Sequence, residues 1–260
     1  MGGIKVKGLL KIELNIERWR YPRFFTENIE GSAAFIEGED ARHAAQVLRM
    51  RSGDLAVLCD GRGTDYLARL ESSDRECCRF EVVEKSPNKA EPDIYLRLFQ
   101  AMPKGDKMEF IVQKAVECGA SEIVPFFSKR CVSRPDGKAL AKKTERYRRI
   151  ALEAAKQCGR GIIPKVGEAV EFSALPELIS AENTGILFYE CAELPISSAV
   201  SGFGRNVDIV IGSEGGFEPS EAAFLTERGL AAVSLGKRIL RCETAPIAAI
   251  SILMNMTGNM

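Results

Sequence analysis

The chain has one histidine, His43, among 260 residues, and none of its eight cysteines falls in a C-x-x-C pair. So few imidazoles and paired thiolates leave a transition-metal centre without a ligand set, and no metal is expected. Cys77 and Cys78 are adjacent and the other cysteines are scattered through apolar segments, which reads as inert buried thiols rather than a disulfide framework. Net charge is missing too. Lys+Arg and Asp+Glu both number 36, so overall charge demands no polyanionic partner and only local patches remain. No apolar run approaches the roughly 20 residues of a membrane-spanning helix. "MGGIKVKGLLKIELNIERWR" lacks the apolar core and cleavage site of a signal peptide, so a cytoplasmic protein with no membrane partner is expected.

What is present is an ordinary globular composition, 45% hydrophobic and 28% charged, laid out in two textures. From Arg23 to Glu84 short alternating runs dominate: "RFF", "SAAFI", "DLAVLCD", "TDYLARLE" and "CRFEVVEK". The turn signal "GRG" punctuates them and one helix-like piece, "EDARHAAQVLR", interrupts them. That order predicts a small β-barrel or compact sheet. "KSPNKAEPD", Lys85–Asp93, has two prolines and no large apolar side chain, which marks a linker. Beyond it "IYLRLFQ", "EIVPFF", "GILFY", "VDIVIG" and "AAVSL" alternate with helical patterns, the signature of a parallel sheet flanked by helices. In "DKMEFIVQKAVECG", Met108, Ile111, Val112 and Ala115 share one helical face and Gly119 stands at the C-cap. A second helix is expected over about 139–158.

Charge is unevenly spread in this half. Lys138 to Lys165 holds nine basic residues against two acids, and Val166 to Gly204 holds six glutamates and no base. Such blocks read either as solvated faces or as a surface for nucleic-acid phosphates. The first half is mildly acidic, so any RNA contact there must come from a patch.

"IGSEGGFEPSEAAFL", Ile211 to Leu225, sets three glycines and a glutamate between an apolar run and a helix start with Glu218 or Ser220 at the cap and Pro219 in the first turn. Gly215 and Gly216 either admit a ligand close to the backbone or simply make a tight turn. No lysine follows them, which excludes a P-loop, and the loop comes too late and with the wrong spacing for a dinucleotide fingerprint. Glu214 would repel a bare pyrophosphate and suits a ligand with hydroxyls or positive charge. In "AAVSLGKRILRCETAPIAAISIL" a strand ends at Leu235, Gly236 turns and a helix begins at Thr244, with Lys237, Arg238, Arg241 and Glu243 between. These cations form a solvated loop or, if the strands carrying the two loops are neighbours, the facing wall of one cleft.

"IGSEGGF" and "LGKRILRCETAPIAAI", with "YPRFF", "HAAQVLRMRSGD", "AMPKGDKMEFIVQKAVECGA", "SKRCVSR" and "RYRRIALEAAKQCGRGIIPKV" in the same order, resemble the signature segments of the RsmE family. These are ribosomal-RNA uridine-N3 methyltransferases of the SPOUT superfamily, and the resemblance runs from about Tyr21 to Ser251. It implies an α/β protein with a PUA-like RNA-binding β-barrel at 21–86 and a SPOUT domain at 94–260 closed by a deep trefoil knot. It further implies S-adenosylmethionine bound in the knot, a homodimer, and 16S ribosomal RNA of the small subunit as substrate. Leu187, Gly212, Glu214, Gly215, Gly216, Leu235, Gly236, Ile239 and Leu240 would then line the cofactor site. The chain departs from the family pattern at Ser213 in place of a proline, at Lys129 in place of a common glutamate, and at His43 where a pair of histidines is frequent. Residues 1–20 precede the usual family start and are read as an extension or a misassigned start, with no function attached.

Methyl transfer from a sulfonium is an in-line displacement, and uracil N3 is a poor nucleophile until its proton leaves. Arg241, with Arg238 as second choice, is expected to stabilise charge spreading to O2 and O4 or to hold a phosphate. Glu243 would orient an arginine or accept a proton, or else pair with Arg241 or cap the last helix. No residue is assigned as general base. Arg23, Arg42, His43, Arg49 and Arg51, with Lys104, Lys129, Arg130 and Arg134, are candidate RNA contacts or else plain surface charges. Two rivals share these features: a SPOUT ribose 2′-O-methyltransferase acting on tRNA or rRNA, and a non-catalytic RNA-binding assembly factor.

Overall fold

The alternating runs of the first half become strands. The computed structural model describes residues 21–199 and 204–260, so the extension expected at 1–20 lies outside the described residues. The strands are β1 (Arg23–Phe25), β2 (Ile29–Glu30), β3 (Ala33–Glu37), β4 (Leu55–Cys59), β5 (Thr64–Ser73) and β6 (Cys77–Pro87). They form a six-stranded sheet in the order β1-β4-β5-β6-β3-β2, antiparallel except for β1 against β4. Along β5, Ala68 and Leu70 are buried while Arg69 and Glu71 face water, the period of two that the sequence carries. Helix α1 (Gly38–Arg42) continues into a π-helical turn, His43–Val47. Ala41 and Ala44 of this segment pack with Phe24, Ile36, Leu58 and Phe80 in one core. The expected linker begins as strand: Ser86 and Pro87 still pair with Asp65 and Thr64.

The chain forms two compact units. The first comprises the described residues up to Glu91 together with Lys156–Ile162; the second comprises Pro92–Ala155 and Ile163–Met260. Polar side chains fasten the second segment of the first unit. Asn88 Nδ2 donates to Gly159 O at 3.0 Å, Lys156 Nζ meets Asp40 at 2.8 Å, and Glu91 takes Arg160 at 2.8 Å and the Gly161 and Ile162 N–H groups at 2.9 and 3.0 Å. Beside them Arg23 forks onto Asp65 at 2.8 and 3.0 Å. Burial by itself would raise the Asp65 pKa, but the guanidinium, with Asn88 and Cys59, holds it below the ordinary carboxylate range.

The second unit is a parallel sheet. β7 (Tyr95–Ala101), β8 (Glu122–Phe127), β10 (Val170–Glu171), β11 (Thr184–Phe188), β12 (Asn206–Ile211) and β13 (Ala231–Val233) run in the order β10-β8-β7-β12-β11-β13, and β9 (Lys165–Val166) also pairs with β8. Its helices are α2 (Lys107–Glu117), α3 (Gly137–Cys158), α4 (Leu175–Leu178), α5 (Pro219–Thr226) and α6 (Thr244–Met256). In the central strands Leu96, Leu98, Phe99, Val207, Ile209 and Val210 are all buried, as expected of a sheet covered on both faces. Met108, Ile111, Val112 and Ala115 of α2 are buried and Gly119 closes the turn after it; α2 packs on α6, which also packs on β7. An ion pair crosses the central strands, Arg97 Nε to Asp208 at 2.8 Å, and Asn183 shares the Asp208 carboxylate at 2.9 Å. Ile209 sits between Ile186 and Leu98 in the middle of this sheet. Ile209→Val should lower stability by about 0.5–1.5 kcal/mol, read as a shifted denaturation midpoint with unchanged slope. Among the described residues no helix is long and apolar enough to cross a membrane.

Candidate active site

The carboxyl ends of β11, β12 and β13 open on a cavity of about 550 Å³, within the size range of small-molecule sites. One wall is the loop Gly212 to Gly216 and the other runs from Ser234 to Cys242. The strands before these loops are not neighbours, the condition that the sequence reading attached to a shared cleft; β11 lies between β12 and β13, and the loops still face each other across one cavity. Its own end, Phe188 to Glu190, therefore supplies the back of the cavity.

The glycine loop is built by close approach. Gly216 has φ +63°, and a Cβ there would collide with the Glu190 carboxylate. A Cβ on Gly212 would lie 3.1 Å from Gly216 Cα and 3.2 Å from the Phe217 ring. Phe217 is buried and stacks on Phe126, which anchors the loop. Helix α5 then starts as its sequence predicts, with Glu218 at the N-cap, Pro219 in the first turn, and Glu221 completing a capping box. Buried Glu221 also accepts the Lys129 N–H at 2.9 Å. Gln100, at the end of β7, donates to Gly212 O at 3.1 Å. The buried Ser213 hydroxyl has no partner among the described residues.

Lys107, which sequence reasoning passed over, holds the charged part of the site. Its ammonium lies 2.9 Å from Glu214, 3.3 Å from Glu243 and 3.8 Å from Cys242 Sγ. The hydrogen bond to Glu214 is the main reason that its pKa is pushed upward. Burial works to raise Glu214, but Lys107 and the N–H groups of Glu214 and Lys104 outweigh it and leave that carboxyl below its ordinary range. Glu243 is likewise lowered: against burial act its own N–H, the Cys242 thiol and Lys107. Burial, then the hydrogen bond to Glu243, pushes Cys242 up to about 12. A signal for Lys107 did exist. A lysine on the first turn of a helix opposes the helix dipole, and such local conflicts mark sites.

Of the residues expected at the cofactor, Gly212, Glu214, Gly215, Gly216, Leu235, Gly236, Ile239 and Leu240 line the cavity, as do Arg238 and Arg241. Leu187 does not; it is fully buried in β11, and Phe188 is the strand residue that reaches the wall. Glu243 neither pairs with Arg241 nor makes a side-chain cap to α6; it faces Lys107. Lys237, Arg238 and Arg241 are exposed and have no carboxylate partner among the described residues.

The candidate RNA contacts divide. Arg23 is turned inward, 12% exposed on Asp65, which removes it from the surface set. Arg130 joins Glu218 at 2.7 Å and Gly215 O at 2.9 Å, Arg134 joins Glu171 at 3.1 Å, and Lys129 reaches Ser220 at 3.4 Å. Arg42, Arg49, Arg51 and Lys104 are exposed without carboxylate partners among the described residues. His43 is exposed too, its ring set edge-on to Phe24 with centroids 6.3 Å apart.

Residues 90–254 match the RNA methyltransferase domain family, and residues 36–83 match the RNA methyltransferase PUA domain. The chain is 34% identical over 247 residues to Ribosomal RNA small subunit methyltransferase E of Bacillus subtilis (strain 168), spanning 90% of this chain and 96% of that protein. Among solved structures it is similar to Ribosomal RNA small subunit methyltransferase E from Neisseria gonorrhoeae bound to S-adenosyl methionine, with TM-score 0.83 and 29% identity over 91% of this chain and 98% of that one. A Legionella pneumophila protein solved with the bound cofactor SAM is similar as well, at TM-score 0.82 and 27% identity over 91% and 98% of the two chains. A parallel α/β unit carrying this cavity, together with these matches over nearly the whole chain, makes the protein a member of the RNA methyltransferase family that contains the small-subunit ribosomal RNA methyltransferases E.

Proposed function

We propose that the protein transfers a methyl group from S-adenosylmethionine to N3 of a uridine in 16S ribosomal RNA of the small subunit. The observation that carries this reading is the pairing of a carboxylate-bearing, glycine-walled cavity with three cations on its lining, Lys237, Arg238 and Arg241, that meet no carboxylate among the described residues. The cavity fits the cofactor: its lining at Gly212, Gly215, Gly216 and Gly236 is backbone without side chains, a Cβ at Gly236 would meet nothing within 4 Å, and the buried Ser213 hydroxyl has no partner among the described residues. Glu190 and Glu214 place two carboxylates on the lining, local partners for the cationic centre of the ligand, while Lys107, Lys237, Arg238 and Arg241 line it as well. When bound, the cofactor supplies a methyl group on a sulfonium that departs as a neutral thioether.

The chain's own residues do the rest. Backbone groups of Gly212, Gly215, Gly216, Leu235, Gly236, Ile239 and Leu240 hold and orient the ligand, with Leu187 supporting from the strand behind. Arg241, seconded by Arg238, stabilises negative charge on O2 and O4 as the uracil N3 proton passes to solvent. Glu243 is a weakened base because its pKa is held down, so its part is to fix Lys107. The unit containing 21–86 contacts RNA, with Arg42, Arg49 and Arg51 as phosphate partners and Lys104 beside the cavity. The same reading has the protein cytoplasmic and homodimeric, with the last segment of the chain threading a loop to form a trefoil knot. Exposed Phe110 and Met256, on the packed pair α2 and α6, support a self-association surface. The passage from edge strand β13 back to α6 on the central strand β7 supports the threading.

The test is methylation of small subunits that lack the modification, using methyl-labelled S-adenosylmethionine followed by nucleoside digestion. Label in 3-methyluridine is expected. Label on a ribose 2′-oxygen, or none, overturns the assignment.

A further inference from the structure

The two loops that wall the cavity make no direct hydrogen bond to each other among the described residues. What joins them is a side chain from a third element. Lys107, the first residue of α2, reaches Glu214 of the glycine loop at 2.9 Å and Glu243, which leads into α6, at 3.3 Å. The geometry points to Lys107 as a positioning residue that clamps the two walls of the cofactor cavity in register, an inference resting on the methyltransferase reading above.

Several features favour a clamp over a solvated lysine. Glu214 also accepts the Lys104 N–H at 3.1 Å, and Glu243 the Cys242 thiol at 3.2 Å, so each carboxylate has a second partner besides the ammonium. The groups facing the ammonium are these two carboxylates and Cys242. Without it, two negative groups on opposite walls would meet across the same space and repel. All three side chains are partly shielded, Lys107 at 35%, Glu214 at 29% and Glu243 at 19% exposed, so screening reduces the attraction without abolishing it.

The experiment is calorimetric titration of the full-length protein with S-adenosylmethionine and, separately, S-adenosylhomocysteine. Lys107→Met is expected to weaken both by about tenfold and together, because a misplaced wall is felt by either ligand. Unchanged affinities would overturn the clamp. So would tighter binding of the sulfonium alone, since removing a cation by charge effect only would favour the cationic ligand over the neutral one. The pH profile gives a readout that a packing role would not move. Both carboxyls have lowered pKa values, so their pairing is present above the ordinary carboxylate range and is lost as pH falls through the lowered values. In the wild type affinity for both ligands should fall as that pairing is lost, whereas in Lys107→Met, where the two carboxylates repel, protonating them should recover affinity; coincident profiles count against the inference. Should Lys107→Met not fold, Glu243→Gln removes one arm and is expected to weaken both ligands by about threefold, with no change again contradicting the clamp. A wild-type protein that binds neither ligand sinks the methyltransferase reading itself, whereas wild-type binding matched by the variants sinks only the clamp.

Discussion

Arg241→Ala is expected to lower methyl transfer by about 10²–10³-fold, the loss typical of removing one preorganised donor to a developing oxyanion. The affinity for S-adenosylmethionine should stay within about twofold, since the guanidinium has no part in the loop framework. This separation has a physical basis. The Arg241 carbonyl accepts the N–H groups of Thr244 and Ala245 at 2.8 and 2.9 Å and so starts α6, whereas its side chain is exposed on the cavity lining. An alanine keeps the first contribution and deletes the second. Arg241→Lys should recover only part of the rate, because an ammonium restores charge but not the planar fork that spans two acceptor atoms. Single-turnover transfer beside calorimetric binding checks both statements. Equal losses in rate and binding would move Arg241 from the reacting base to the cofactor.

Gly216→Val should weaken S-adenosylmethionine binding by more than about a hundredfold, from roughly 1–2 kcal/mol of left-handed backbone strain added to a steric collision. At φ +63° a β-branched residue is a true outlier, and the new Cβ would point into the Glu190 carboxylate. Either the loop leaves its turn or Glu190 leaves the back of the cavity. Gly105→Val is the matching control, because Gly105 has φ +64° and a Cβ there would meet nothing within 4 Å. It carries the strain without the collision and should lose far less affinity. If the two variants bind the cofactor equally well, the contact with Glu190 does not shape the site.

How much of this was readable in advance follows from how local each feature is. The long strands, α2 and the α5 start were legible because apolar period, proline and capping residues act within a few positions. β2, β9 and β10 were missed, each having two residues and no periodicity to detect. The glycine loop and the cation-rich loop were legible as pieces, but β11 between their strands was not, since strand order is set by packing across the whole sheet. Glu190 escaped notice for that reason. Lys107, Glu214 and Glu243 lie too far apart in the chain for spacing to reveal their meeting. Arg23 reads as a surface cation in "YPRFF", and only Asp65, on another strand, turns it inward.

The segment Lys156–Ile162, which belongs to the first unit although it arrives only after most of α3, bears on how this protein can be dissected. An expressed fragment ending near Glu91 would be one piece short. The Glu91 carboxylate would lose Arg160 and the N–H groups of Gly161 and Ile162, Asp40 would lose Lys156, and Asn88 would lose Gly159 O. The RNA-binding half is therefore not a cassette that a single cut can free or graft onto another enzyme. Any chimaera has to carry both stretches of chain, and gene-level shuffling by simple fusion would select against itself.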